Sequence, residues 1–250
     1  MSSEKAKIFI ILPAYNAEKT LKKTLDEIPE GFREHILLTD DASKDNTVAL
    51  ARSLGLIVYE HKVNQGYGAN QKTCYDHALE MGADIVVMLH PDHQYDASII
   101  PLMVRPILSG EADAVFGSRM LGGKPLEGGM PWWKYDANII LTTFANLFFR
   151  RYLTEIHSGF RAYSRKYLET VRYPENSNDF IFDTEIIAQG MACNLFFREV
   201  PIVTRYFPEA SSINFKRSVE YGFGILWNLL LYWLHKNRII TIQKFTPRQP

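Results

Sequence analysis

The sequence predicts an α/β fold with a mostly parallel central sheet and helices on both faces, and three observations predict it. Compact apolar runs alternate with segments of helical period through the first half of the chain. The fourth run, within Asp84–Leu89 (DIVVML), is apolar without alternation, as a strand covered on both faces must be. Polar clusters follow the runs at Ala14–Asn16, Asp40–Ser43, His90–Gln94 and Gly117–Arg119. Ligands of parallel sheets bind at such places, outside the carboxyl ends of the strands.

Taken in order, Lys7–Leu12 (KIFIIL) is a strand ended by Pro13, and Leu21, Thr24, Leu25 and Ile28 recur at helical spacing behind Asn16, a candidate cap. His35–Thr39 is a second strand running into Asp40 and Asp41. Thr47–Leu54 reads as a helix stopped by Gly55, and Leu56–Glu60 as a third strand. Asn70–Met81 is a helix stopped by Gly82 before the fourth strand. Ser98–Leu108 has helical spacing interrupted by Pro101 and Pro106, and Ala112–Phe116 is a fifth strand. Beyond the Gly/Pro-rich loop Gly122–Pro131, Asp136–Tyr152 and Asp179–Met191 read as helices and Leu195–Phe207 as an extended segment. With no repeat, low-complexity tract or clear linker, the expected organisation is one domain over 1–218 and an apolar helical extension over 219–250.

Bulk properties narrow the function. The chain has 250 residues, 46% hydrophobic and 22% charged, enough for one sizeable core. Its formal net charge is zero, which gives no electrostatic case for nucleic acid as a partner. Cys74 and Cys193 make no disulfide framework, and Met1–Lys7 is polar with no apolar signal region, so a cytoplasmic setting is expected. The longest uncharged runs, Ala137–Phe149 and Tyr221–Leu234, fall short of the roughly 20 residues of a spanning helix.

The chemistry concentrates after the fourth strand. On an extended segment His90, Asp92 and Gln94 point the same way and offer an imidazole, a carboxylate and an amide oxygen to one divalent ion. An ion that bridges a diphosphate needs only one or two protein oxygens. The alternative is a polar loop without a metal. The Asp40–Asp41 pair can accept hydrogen bonds from a base or ribose, while Ser43 or Asp45 caps the next helix. In Asn64–Gly68 (NQGYG) the third glycine of a dinucleotide fingerprint is Gln71, so these glycines are assigned to a tight turn.

LPAYNAE, TDDASKDNT, NQGYGAN, HPDHQYD, GSR, SGFRAYS, FIFDTE and EVPI occur in this order, and together they resemble the family-2 glycosyltransferases, especially their polyprenyl- and dolichyl-phosphate sugar synthase branch. The resemblance covers roughly Ile8 to Phe215. It implies the GT-A nucleotide-sugar-binding fold, with Pro13, Ala14, Tyr15 and Glu18 lining the nucleoside pocket and Asp41 on the base or ribose beside Asp40. It implies that Asp92 is the second aspartate of the metal-binding element, that Gln94 is a further ligand, and that Mn²⁺ or Mg²⁺ is the cofactor. His90 stands where the family has the first aspartate; it is either a ligand, which suits Mn²⁺ or a softer ion better than Mg²⁺, or a contact to the diphosphate. Arg119 matches an arginine near the acceptor phosphate. Arg161 is a second phosphate candidate, or else a structural ion pair. Phe180, Asp183 and Glu185 match an acidic helix on which the two carboxylates do not share a face. Arg205 and Ser212 sit where the branch has an arginine and a small G-x-S-K element, replaced here by EASSINFKRS.

The resemblance implies inverting transfer of a hexose from GDP-mannose or a UDP-hexose to a polyprenyl phosphate. The alternatives are transfer to a saccharide hydroxyl, with Asp183 or Glu185 as base, and a silent nucleotide-sugar-binding protein. YGFGILWNLLLYWL followed by HKNR reads either as a helix lying on a membrane or against a membrane protein, or as a homo-oligomer contact.

Overall fold

A computed structural model of the chain describes residues 6–122, 125–206 and 215–248, the stretch 215–219 by its backbone alone. Among the described residues seven strands form one sheet: β1 (Ile8–Ala14), β2 (Ile36–Asp40), β3 (Ile57–Glu60), β4 (Ile85–Met88), β5 (Ala114–Ser118), β6 (Arg161–Ser164) and β7 (Phe197–Pro201), in the order β3-β2-β1-β4-β6-β5-β7. β1 pairs in parallel with β2 and β4, and β2 with β3, while β6 runs antiparallel to β4 and β5. β5 therefore points the same way as β4, and the carboxyl ends of β1, β2, β4 and β5 meet along one edge.

Strand alternation divides the core. Phe9, Ile11, Leu37, Val86 and Met88 face one side, and Ile10, Leu12, Leu38, Ile85 and Val87 face the other. The first side is covered by α3 (Tyr67–Glu80), α5 (Trp132–Phe149), α7 (Phe182–Ala192) and α8 (Phe215–Lys236). α1 (Leu21–Asp26), α2 (Thr47–Ser53) and α4 (Ile100–Leu108) cover the second. A short α6 (Arg165–Thr170) follows β6 directly. α8 sets Ile225, Leu229 and Tyr232 into the same core as the sheet, and the expected boundary at 218/219 falls within this helix.

Several local expectations need correction. Asn16 does not cap α1: its φ is +53° and its Oδ1 accepts from Lys44 N–H at 2.8 Å, tying the β1 loop to the β2 loop. α3 begins at Tyr67, three residues before the expected start, because Gly66 turns the chain at φ +100°. α4 tolerates both prolines, since Pro101 lies in the first turn, where the missing N–H costs nothing, and Pro106 only two residues before the end. The fifth strand runs two residues later than expected, over Ala114–Ser118, and β6 (RAYS) was not expected at all.

Candidate active site

Two cavities open at the carboxyl edge of the sheet. The first, of about 680 Å³, lies between the end of β1 (Pro13, Ala14, Tyr15), Asp41, the loop Asn64–Gly66, and Ser177–Phe180. Asp41 organises it: Oδ1 accepts from Gln65 N–H at 2.8 Å and Oδ2 from Gly66 N–H at 2.9 Å. His61 Nδ1 lies 2.7 Å from Oδ1, and its Nε2 lies 2.9 Å from Thr73 Oγ1. Asp41 thus holds the glycine turn onto the sheet, and His61 ties Asp41 to α3.

The second cavity, of about 230 Å³, is walled by Arg119 after β5, by Trp133, Lys134 and Leu141 of α5, by His157, Tyr206 and Asp183, and by Tyr221 of α8. Tyr67, His90, Asp92 and Phe180 line both cavities, so the joining wall carries the residues picked out after the fourth strand. Their geometry differs from the expected alternation. Residues 91–93 form a turn, with His93 at φ +59°, and Asp92 Oδ1 accepts from Gln94 N–H at 3.1 Å, an Asx-type closure. His90, Asp92 and Gln94 nevertheless reach one cavity.

Arg119 donates through Nε to Glu155 Oε1 and through its backbone N–H to Oε2, both at 2.7 Å, and through Nη1 to Tyr206 Oη at 2.9 Å. Glu155 is fully buried and also accepts from Asn138 Nδ2 at 2.7 Å. Burial opposes its charge, but the Arg119 guanidinium outweighs burial and holds the carboxyl below its usual range. Lys134 has no acidic partner among the described residues. Burial, and then the neighbouring Arg119 charge, push its pKa down. It stands 5.4 Å over the Trp133 ring, a cation–π contact. One charge-balanced guanidinium and one ammonium without an acidic partner stand on this side, and the carboxylates of Asp92 and Asp183 line the same cavity. Burial also lowers both cavity histidines: His157 to about 4, and His90 against the opposing charges of Asp92 and Asp183.

The remaining predicted residues separate. Asp183 faces the second cavity and accepts from Tyr67 Oη at 2.9 Å and Gln71 Nε2 at 3.1 Å, with Arg161 Nη1 at 3.2 Å. Glu185 turns away to Ser177 N–H at 2.6 Å and to Lys244, so its assignment as a catalytic group is corrected to a structural one. Of the two readings of Arg161, its contacts follow the structural ion pair, with Asp183 at 3.2 Å. It is 1% exposed, and besides Asp183 it donates to the carbonyls of Ser158, Ile156 and Asp183. Glu18 does not line the nucleoside cleft; it accepts from Asn46 N–H and Nδ2 at 3.1 and 2.9 Å. Asp40 folds onto Ser43, accepting from its N–H at 2.8 Å and its hydroxyl at 2.5 Å. Arg205 lies off both cavities, paired with Glu27 at 2.8 Å. Ser212 lies outside the described residues. Sequence reasoning missed Lys134, Tyr67, His61 and His157. The run PWWKY, a lysine among aromatics after a Gly/Pro loop, is the one local signal that pointed to any of them.

A mostly parallel sheet thus carries at its carboxyl edge a cleft of about 680 Å³ that shares a wall with a cavity lined by aromatic, cationic and acidic side chains. Residues 9–172 match the profile described as Glycosyl transferase family 2. The chain belongs to that family and has its GT-A fold. It is 29% identical over 246 residues to the UDP-N-acetylglucosamine–dolichyl-phosphate N-acetylglucosaminyltransferase of Methanococcus voltae, covering 92% of this chain and 97% of that one. It is 25% identical over 201 residues to the polyprenol monophosphomannose synthase of Mycolicibacterium smegmatis, covering 77% and 75%. A solved structure of glucosyl-3-phosphoglycerate synthase from Mycobacterium tuberculosis with Mn²⁺, UDP-glucose and phosphoglyceric acid superposes with a TM-score of 0.68 at 18% identity, over 92% of this chain and 80% of that one. Among the described residues no helix is long and apolar enough to cross a membrane.

Proposed function

We propose that this chain is an inverting, metal-dependent glycosyltransferase that moves a hexose from GDP-mannose or a UDP-hexose onto a polyprenyl phosphate. The observation that carries this reading is the second cavity, which sets Arg119 and Lys134 among Trp133, Leu141, Tyr206 and Tyr221. Cations suited to a phosphate thus stand among groups suited to an alkyl chain. A phosphate acceptor is already anionic near neutral pH and needs positioning rather than a base. A saccharide hydroxyl needs a base, and Asp183 is committed to Arg161, Gln71 and Tyr67. The M. voltae and M. smegmatis relatives carry dolichyl phosphate and polyprenol monophosphomannose in their names, which supports the same acceptor class.

The residues at the joining wall fit a divalent ion. Asp92 Oδ2 accepts nothing from the described residues, and His90 and Gln94 share its cavity. No three His, Cys, Asp or Glu side chains converge among the described residues; an ion that bridges a diphosphate needs only one or two ligands from the protein. Bound there, such an ion would neutralise charge on the departing diphosphate. In this reading the chain's own residues do the rest. Asp41 and the turn it holds cradle the nucleoside against Tyr15, and Arg119 and Lys134 draw the acceptor phosphate toward the anomeric carbon at the junction.

The test is transfer of label from nucleotide sugars to a short polyprenyl phosphate or to free saccharides; label appearing only in saccharide rejects the reading. Lys134→Ala is expected to raise the acceptor KM roughly 10- to 100-fold, the worth of one charge-assisted hydrogen bond, with the donor KM unchanged. Equal loss in both constants would place Lys134 on the donor.

The reading extends to where the enzyme sits. α5 and α8 pack side by side, Phe149 against Tyr232 at 5.0 Å, yet their outer faces are apolar. Ile140, Phe144 and Leu147 on one, and Phe223, Trp227 and Leu230 on the other, are exposed at helical spacing. Arg150 and Arg151 follow one helix; Lys236 ends the other and Arg238 follows it. An apolar face with a basic end suits an anionic lipid surface, and the second cavity opens between these helices. Flotation with anionic vesicles is expected to carry the protein up. Trp227→Glu, removing about 2 kcal/mol of apolar burial, should lower binding about tenfold or more. No flotation, with a dimer that the same substitution breaks, would assign the face to a second copy of the chain.

A further inference from the structure

The Tyr67 hydroxyl stands between two polar groups with a single proton to give. Its oxygen lies 2.9 Å from Asp183 Oδ2 and 3.2 Å from His90 Nε2. Asp183 is a carboxylate facing Arg161 at 3.2 Å, and a carboxylate only accepts, so it takes the Tyr67 proton. Toward His90, Tyr67 then has only lone pairs, and the contact requires that Nε2 carry a hydrogen and donate it. A metal-bound imidazole is neutral and holds one hydrogen, which leaves Nδ1 as the nitrogen with a free lone pair. The surroundings agree. Nε2 is closed in by Tyr67 and by the Gly159 backbone, where a Cβ would stand 2.5 Å from it. Nδ1 has no hydrogen-bond partner among the described residues, and His90 lines both cavities together with Asp92.

We infer that Tyr67, anchored on Asp183, is a positioning residue that fixes the His90 tautomer so that Nδ1, with Asp92, is offered to the ion, and that this imidazole–carboxylate pair selects Mn²⁺ over Mg²⁺. The inference rests on the reading that a metal–nucleoside diphosphate complex binds at the junction. Its physical basis is general: a ligating histidine passes its other N–H to a carboxylate or carbonyl, directly or through a second group, and this fixes the ring and raises its basicity. Here the path is His90 Nε2–H to Tyr67 Oη, and Tyr67 O–H to Asp183. Imidazole favours transition ions over Mg²⁺, which keeps oxygen ligands.

The experiment uses the full chain with Mn²⁺ and UDP or GDP. Pulsed EPR of the bound ion should show coupling to one ¹⁴N in the wild type and none in His90→Asp. The ratio of Mn²⁺ to Mg²⁺ affinity, read by calorimetry in the presence of nucleotide, should fall at least tenfold in His90→Asp. Tyr67→Phe should weaken Mn²⁺ binding about 10- to 100-fold with the thermal midpoint retained, and should cost nothing further in a His90→Asp background. Nitrogen coupling that persists in His90→Asp, a missing coupling in wild type with Mn²⁺ bound, or an equal cost of Tyr67→Phe in both backgrounds would overturn the inference while leaving the transferase reading intact. No nucleotide-dependent Mn²⁺ binding at all would defeat both.

Discussion

Asp92→Asn is expected to lower the turnover number about 10²- to 10³-fold, the usual loss when one preorganised electrostatic stabiliser leaves a reacting centre, while the fold survives. The substitution is nearly isosteric, and an amide oxygen can keep the 3.1 Å contact from Gln94 N–H that closes the turn. It removes the negative charge at the wall shared by both cavities. Among the described residues no cation pairs with Asp92, so no buried charge is left orphaned and the thermal midpoint should move little. The loss should appear in kcat at saturating donor and acceptor, because the interaction is strongest when charge has built up on the leaving diphosphate. Turnover within tenfold of wild type would remove Asp92 from the centre. A large fall in the melting midpoint alongside lost turnover would assign it to structure.

β1, β2 and β4 could be read from the sequence because sheet burial leaves a local mark: a parallel strand packed on both faces must be apolar along its length. β6 left no such mark. It has four residues, opens on Arg161, and is a strand because β4 and β5 flank it. The site was legible to the same degree. The polar residues after β1, β2, β4 and β5 do meet at one edge, since topology brings strand ends together whatever the loops do. Which neighbour in each cluster faces the cleft was not legible. Asp40 and Asp41 are adjacent, yet one closes its own loop on Ser43 and the other holds the turn at Gln65 and Gly66. That choice is set by the φ of +61° at Ala42 and by loop contacts 24 and 25 residues away, and no local period encodes either. The argument from extended alternation at His90–Gln94 failed for a related reason. A left-handed residue at His93 converts the segment into a turn, and convergence on the cavity comes from that turn. Tyr67 and Lys134 were missed because their roles exist only through Asp183, which is 116 residues away for Tyr67, and through Arg119 across the second cavity.

Arg161→Met should destabilise the protein by about 3–5 kcal/mol, the range for removing one partner of a buried ion pair. Arg161 is 1% exposed and Asp183 6%, and the 3.2 Å contact between them is the carboxylate's charged support. The substitution leaves the largely buried Asp183 without its guanidinium partner, and it removes donors to the carbonyls of Ser158, Ile156 and Asp183. Met has similar length and fills the space, so the loss reports the uncompensated charge more than a cavity. Arg161→Lys should recover little, because one ammonium cannot serve carbonyls and a carboxylate that a planar guanidinium reaches together. Had this arginine gripped the acceptor phosphate, as its motif alone allows, the same substitution would raise the acceptor KM and leave unfolding in urea almost unchanged. The two roles therefore predict opposite pairs of measurements. A stability loss below about 1 kcal/mol, typical of an exposed pair, would mean that the Arg161–Asp183 contact is open to solvent, and Asp183 would again be free to act as a base toward a hydroxyl acceptor.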